Sequence, residues 1–295
     1  YRRVYRGCEL MIISNCKINL GLNIISKRED GYHELDMIMA PIIFGDEIDI
    51  ICHDELGELE FRIKDDLIPI DKSNTVTKAY NEYFEYSNKE KRKVSVYLEK
   101  RVPRQAGLGG GSSNAGFLLK ELNKKYNFYS KDEVLLISKK IGADVPFFID
   151  NKASRVSGIG EKISFLENNI KEKILLVKPT YIGISTRLAF SFYAENTKEL
   201  KVSNLDNIEK AIKDGNVLEL EKNIENTLEQ IVLQNNTKLA KFKVEIESLY
   251  GKKFFMSGSG STFFTFINKQ EEPEIRKKMN YRISRKYFTR ITRFL

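Results

Sequence analysis

The sequence predicts a mixed α/β (α+β) fold in two domains, residues 1–158 and 159–295. Three observations predict it. The first hundred residues read mainly as strands. A strand, a glycine loop and a helix then follow one another across residues 94–127. Beyond a glycine-containing polar stretch at 154–162, the chain resumes with a strand and continues mostly as helix. A length of 295 residues leaves room for two cores, and 41% apolar with 31% charged residues describes an ordinary globular protein.

Residues 10–14 and 18–25 are apolar-rich strand candidates, followed by a charged turn at 27–31 that ends in Gly31. Strands are expected again at 35–43 and 47–51. A helix is expected over 74–86, with Ser73 or Asn74 as its cap. Val94, Val96 and Leu98 alternate with Ser95, Tyr97 and Glu99, the pattern of a half-buried strand. Ala115, Leu118, Leu119, Leu122 and Tyr126 fall at helical spacing and mark a helix over 112–127, with another over 131–141. A strand at 174–177 opens the second half, and helices run on to residue 250. Two apolar strands within 254–267 then enclose Ser257, Gly258, Ser259, Gly260 and Ser261.

The most informative stretch is Pro103, Arg104, Gln105, Ala106, Gly107, Leu108, Gly109, Gly110, Gly111, Ser112 and Ser113. Glycine lets backbone wrap closely around a ligand, and a loop at a helix start presents open N–H groups and the positive end of the helix dipole. The ligand that this suits is a phosphate. A flexible linker is the alternative, which the flanking strand and helix disfavour. The Walker pattern fails because no lysine lies between Arg104 and Lys120, and the dinucleotide fingerprint fails because Ser112 stands at its third glycine. His-Arg-Asp and Asp-Phe-Gly, the protein-kinase signatures, are absent.

The net charge of +8 is spread along the chain, which suits an anionic substrate or nucleic acid without choosing between them. Aromatic and basic residues are not interleaved as in a single-strand binder. The three cysteines, Cys8, Cys16 and Cys52, have neither metal-ligand spacing nor histidine partners, so a reducing cytoplasm is expected. Cys16 beside Lys17 is either an activated thiol or a small buried residue. No apolar run reaches the length of a membrane span, and the short run before residue 14 does not make a signal peptide. Residues 1–10 precede the first methionine, Met11, and read as an upstream extension.

Candidates for chemistry are few. Asp144 lies in an apolar turn containing glycine and proline, either as a functional carboxylate or as a helix cap before Val145 and Pro146. Lys17 sits among polar residues inside an apolar strand pattern, either a solvated edge residue or an inward charge. Gly258 and Gly260 read as a tight hairpin, or as a second turn over the ligand of the first loop. Tyr32 and His33 taken alone would be a surface aromatic pair.

Five segments give these residues a context: Cys-Lys-Ile-Asn-Leu at 16–20, Lys-Arg-Glu-Asp-Gly-Tyr-His-Glu-Leu at 27–35, the glycine loop at 103–115, Gly-Ala-Asp-Val-Pro-Phe at 142–147 and Met-Ser-Gly-Ser-Gly-Ser-Thr-Phe at 256–263. Their order and content resemble the GHMP kinases, the superfamily of galactokinase, homoserine, mevalonate and phosphomevalonate kinases. The Asp-Gly-Tyr-His segment is similar to those members that phosphorylate the 2-hydroxyl of cytidine-diphosphate methylerythritol in the non-mevalonate isoprenoid pathway. The resemblance implies a ribosomal-S5-like N-terminal domain and a ferredoxin-like C-terminal one. It also implies ATP and Mg2+ as cofactors, with catalytic Lys17 and Asp144 and nucleotide phosphates held by Pro103 to Ser113. Substrate would be held by Asn19, Tyr32, His33, Phe190, Gly258, Ser259 and Gly260. A small-molecule substrate, no nucleic-acid or membrane partner, and a monomer or homodimer complete the expectation. The rivals are another kinase of the superfamily, of mevalonate or homoserine type, and a non-catalytic RNA-binding module, which leaves Asp144 and both glycine loops unexplained.

Overall fold

The computed structural model describes residues 11–29, 31–65, 68–160, 162–195, 199–282 and 286–295. Residues 1–10, which include Cys8, as well as Asp30 of the charged turn and Glu161, lie outside the described residues. The elements are β1 (Ile12–Lys27), β2 (His33–Leu56), β3 (Leu59–Ile63), α1 (Thr75–Glu85), β4 (Arg92–Glu99), α2 (Gly110–Tyr126), α3 (Lys131–Ile141) and α4 (Val145–Asp150). They continue as β5 (Ser154–Gly158), β6 (Lys162–Phe165), β7 (Lys173–Pro179), α5 (Thr186–Ala194), α6 (Leu205–Asp214), α7 (Val217–Asn223), α8 (Thr227–Asn235) and α9 (Thr237–Tyr250). The chain ends with β8 (Phe255–Met256), β9 (Phe263–Ile267), α10 (Glu272–Arg282) and β10 (Tyr287–Thr292).

The expected strands 10–14 and 18–25 are one strand, β1, and 35–43 and 47–51 are one strand, β2. The polar residues that interrupt the apolar pattern of β1, Asn15, Lys17, Asn19 and Asn23, are all buried. Buried polar groups persist only where partners hold them, so a polar run inside a strand need not end it. Midway along β2, Gly45 allows a close crossing: a Cβ there would stand 2.1 Å from the carbonyl oxygen of Ser14.

The chain divides into two compact units, interleaved in sequence. The first comprises the chain as far as Cys16, residues 44–102 and residues 109–151. Its strands run in the order β3-β4-β2, with β2 antiparallel to β4 and β3 parallel to it. Parallel neighbours need a crossover, and α1 supplies it between β3 and β4. Asn74 caps α1 by accepting from Val76 N, and Ser130 with Glu133 forms a capping box on α3. Val94, Val96 and Leu98 of β4 share one core with Tyr80, Tyr83 and Phe84 of α1 and with Leu118, Leu119 and Leu122 of α2. Each such side chain contributes about 2 kcal/mol by leaving water. That core fixes both the strand before the glycine loop and the helix after it.

The second unit comprises residues 17–43, 103–108 and 152–295. In it the first half of β2 pairs antiparallel with β5, and β5 with β6. A separate antiparallel sheet has the order β10-β7-β9-β8. Ile174 to Val177 in β7 are completely buried, which accounts for their unbroken apolar run. Met256 pairs with Phe263, leaving residues 257–262 as the turn between β8 and β9. The short strands β3, β5, β6 and β10 and the helix α10 are not announced by the sequence, because their few residues are mostly charged or mixed, while α4 enters there only through the cap alternative for Asp144.

Candidate active site

In the second unit the two glycine turns lock together. Gly107 has φ +70, and a Cβ on it would lie 2.0 Å from the carbonyl oxygen of Ser257. Ser257 Oγ donates to Gly107 O at 3.0 Å, Ser261 N to Gln105 O at 3.3 Å and Thr262 N to Ala106 O at 3.3 Å. From the other side, Lys17 N in β1 donates to Leu108 O at 3.0 Å. The turn between β8 and β9 is thus both a hairpin and the brace of the first loop.

Lys17 and Asn19 are two residues apart on β1 and therefore share a face. They are 4% and 2% exposed, and Lys17 Nζ donates to Asn19 Oδ1 at 2.5 Å. Asn19 N donates to Ser257 Oγ at 3.3 Å, and its amide to Met37 Sδ at 3.4 Å. A Cβ on Gly258 would stand 3.2 Å from both Lys17 Nζ and Asn19 Oδ1. Lys17 is an inward charge, not a solvated edge residue. A buried cation under two glycine turns is suited to holding anionic oxygen and polarising a hydroxyl. Ser259 Oγ lies 3.3 Å from Thr186 Oγ1 at the start of α5, a contact no sequence pattern announced. Cys16, fully buried, is the small packed residue of the two alternatives.

In the first unit α2 begins at Gly110, two residues before its expected start, with Gly109 at φ +69. No side chain caps it and no acidic residue lies in its first turn, so its opening N–H groups and dipole favour an anion. Ala106, Leu108 and Ser113 are buried anchors of the loop, while Arg104, Gln105 and Gly111 are exposed. Ser113 Oγ donates to Asn15 O at 2.6 Å, tying the helix start to β1. Asp46, fully buried, accepts from Arg101 N at 2.7 Å, Val102 N at 2.8 Å and Asn114 Nδ2 at 3.0 Å, and pairs with Lys100. It fixes the chain just before the loop. Its signal in the sequence is an acid after Gly45, between Phe44 and Ile48, which by itself does not tell a buried carboxylate from a turn residue. Asp144 occupies the N-cap position of α4, but its side chain makes no capping hydrogen bond. The cap alternative therefore does not account for it.

Tyr32 ends a turn closed by Arg28 N to Tyr32 O at 2.8 Å, and its side chain is 60% exposed. His33 opens β2 and stacks on Phe190 of α5 at 4.8 Å between ring centroids, 19° from parallel, with Tyr193 edge-on at 5.4 Å. Its Nε2 is buried without a hydrogen-bond partner among the described residues. Burial, and secondarily the charge of Lys27, lowers its pKa, so the ring is neutral at pH 7. A neutral imidazole with an unused nitrogen is ready to read the edge of a polar ring. The second unit thus gathers Lys17, Asn19, the first loop as far as Leu108 and the turn at 257–262, and joins His33 to Phe190. Asp144 and Gly109 to Ser113 belong to the first.

The family described as GHMP kinases N terminal domain matches residues 74–152, which hold the glycine loop and Asp144. A 4-diphosphocytidyl-2-C-methyl-D-erythritol kinase of Fusobacterium nucleatum is 47% identical over 270 residues, covering 91% of this chain and 92% of that one. The chain belongs to the 4-diphosphocytidyl-2-C-methyl-D-erythritol kinase family. A relative of the same name from Persephonella marina is 36% identical over 88% of this chain and 92% of its own. The crystal structure of a 4-(cytidine 5'-diphospho)-2C-methyl-D-erythritol kinase, 26% identical, superposes with a TM-score of 0.72 over 96% of this chain and 99% of that one. Membership in this kinase family makes the protein an ATP-dependent small-molecule kinase of mixed α/β, two-sheet architecture, as the motifs led one to expect. Among the described residues no helix is long and apolar enough to cross a membrane, and no group of three His, Cys, Asp or Glu is placed to hold a metal ion.

Proposed function

We infer that this protein transfers the γ-phosphoryl group of ATP to the 2-hydroxyl of 4-diphosphocytidyl-2-C-methyl-D-erythritol. The observation that carries this reading is the buried Lys17–Asn19 pair beneath two glycine turns that hydrogen-bond to each other. The names of the relatives supply the substrate.

Phosphoryl transfer needs positioning and charge neutralisation more than covalent chemistry. In our reading, Pro103 to Ser113 receive the nucleotide phosphates, the glycines making the contact and Ala106, Leu108 and Ser113 keeping the loop in place. Mg2+ would supply charge neutralisation at the nucleotide phosphates, a role for an ion that dehydrates reluctantly and needs few protein ligands. Asp144 takes the proton of the substrate hydroxyl. That oxygen attacks the γ-phosphorus in line as the bond to the departing ADP oxygen breaks. Lys17 steadies the growing charge, with Asn19 orienting its ammonium group. Gly258, Ser259 and Gly260 line the substrate. Tyr32 offers its face to the cytosine and His33 Nε2 a hydrogen bond. Phe190 closes on His33 here, so it forms the second face of a base sandwich only if one of the two rings turns. No covalent phospho-enzyme is required. We keep residues 1–158 and 159–295 as the two family domains, and a cytoplasmic enzyme without nucleic-acid partners.

Phosphorus NMR of the product tests the reading. Incubation with Mg·ATP and the cytidylated substrate is expected to yield a phosphomonoester signal on the tertiary alcohol. Formation of ADP and inorganic phosphate without that signal would contradict it.

A further inference from the structure

Asn226, at the head of α8, uses one side chain for two jobs. Its Oδ1 caps the helix, accepting from Leu228 N at 2.9 Å and Glu229 N at 3.3 Å. Its Nδ2 donates to Met256 O and to Gly258 O, both at 2.9 Å. These carbonyls flank Ser257, so the amide grips that residue's backbone from both ends. Asn226 is 4% exposed. The helix it caps is tied to β1 by a bridge between Leu22 and Asn226 and by Thr227 Oγ1 donating to Leu22 O at 3.1 Å. Leu22 lies on the strand that carries Lys17 and Asn19. A closed circuit results: β1 fixes α8, Asn226 fixes the turn at Ser257 and Gly258, and that turn rests on Asn19 N and Gly107 O.

A helix cap alone does not explain the choice of asparagine. Serine, threonine and aspartate cap about as well, because capping needs only an acceptor. Only an amide adds two donors at its other end. We propose that Asn226 is a positioning residue for the transfer, holding the Ser257–Gly258 backbone at its distance from Lys17 and Asn19. This rests on the kinase reading given above. A Cβ on Gly258 would stand 3.2 Å from Lys17 Nζ and Asn19 Oδ1, so the turn has little slack to absorb a shift. Misplacement of reacting groups by about 1 Å costs on the order of 100-fold in rate.

Asn226→Asp in the full chain separates the two jobs. The cap is kept, both donors are lost, and an anion faces two carbonyl oxygens. The expected result is a kcat about 10- to 100-fold below wild type, with KM for ATP and for the cytidylated alcohol within about 3-fold and the melting temperature within about 5 °C. The ratio of variant to wild-type kcat is expected to rise as pH falls from about 8 to about 6, because a protonated carboxyl regains one donor. A variant as active as an active wild type overturns the proposal, as does a loss of activity that merely follows the loss of folded protein and ignores pH. If Asn226→Asp does not fold, Asn226→Ser, a good cap too short to reach both carbonyls, is expected to show the same kcat loss, without the pH effect. A wild type silent with the cytidylated substrate would sink the kinase reading instead, and this proposal with it.

Discussion

Lys17 Nζ and Asn19 Oδ1 are joined by a 2.5 Å hydrogen bond on the inward face of β1, and a Cβ on Gly258 would come within 3.2 Å of both atoms. The asparagine aims the ammonium group, and the glycine turn leaves it room to meet a ligand. Lys17→Met is therefore expected to lower kcat by about 100- to 1,000-fold, the range for losing one preorganised donor. Lys17→Arg is not expected to restore it, since the guanidinium is larger and forked. Steady-state kinetics beside direct ATP binding checks this, and a Lys17→Met enzyme near wild-type kcat would refute the role.

Asp144 stands at the start of α4 without capping it. Asp144→Asn is expected to abolish turnover while sparing nucleotide binding and fold, because the amide keeps the volume and loses the base. Calorimetry with ATP, together with the turnover assay, separates these. Lost ATP binding in a folded variant would count against the assignment.

Gly107 cannot gain a side chain. A Cβ would meet Ser257 O at 2.0 Å, and φ +70 already disfavours one. Gly107→Ala is expected to cost at least about 2 kcal/mol and to weaken ATP binding, since the two turns must separate. Urea unfolding measures the first and calorimetry the second.

Lys178, 4% exposed in β7, gives its ammonium hydrogen bonds to Pro179 O and Ile182 O, and burial lowers its pKa to about 8. The unfolded chain, with an ordinary lysine near 10.4, binds more protons between these values, so stability is expected to rise with pH from about 8 to about 10. The rise is worth up to roughly 3 kcal/mol. Lys178→Met is expected to flatten that slope in urea titrations across the range. A variant with the slope unchanged would show that other groups produce it.

Much of this site was legible because it is written in local patterns. The glycine loop between an alternating strand and a helical stripe placed β4 and α2, and the phosphate reading of the loop rests on the same local pattern. Lys17 was visible as a charge inside an apolar strand, but its burial was not, because a strand pattern does not tell an edge from a core. What the sequence could not convey were partnerships across long separations. Ser257 on Gly107, Asn226 on Gly258 and Asp46 on the backbone before the loop join residues 150, 32 and about 55 positions apart. Asn226 reads in sequence as one of many asparagines, and only the tertiary fold shows that its amide faces two carbonyls. The short strands β5 and β6 lay in a stretch that composition marks as a connection, and their pairing with β2 is again a long-range property.

The most direct measurement is ADP release by the purified protein with Mg·ATP, comparing the cytidylated methylerythritol with mevalonate and homoserine. Turnover confined to the cytidylated alcohol is the predicted result, and it requires both the Lys17 centre and a site that reads the base. Turnover with mevalonate or homoserine instead, or with none of the three in folded protein that still binds ATP, would contradict the account.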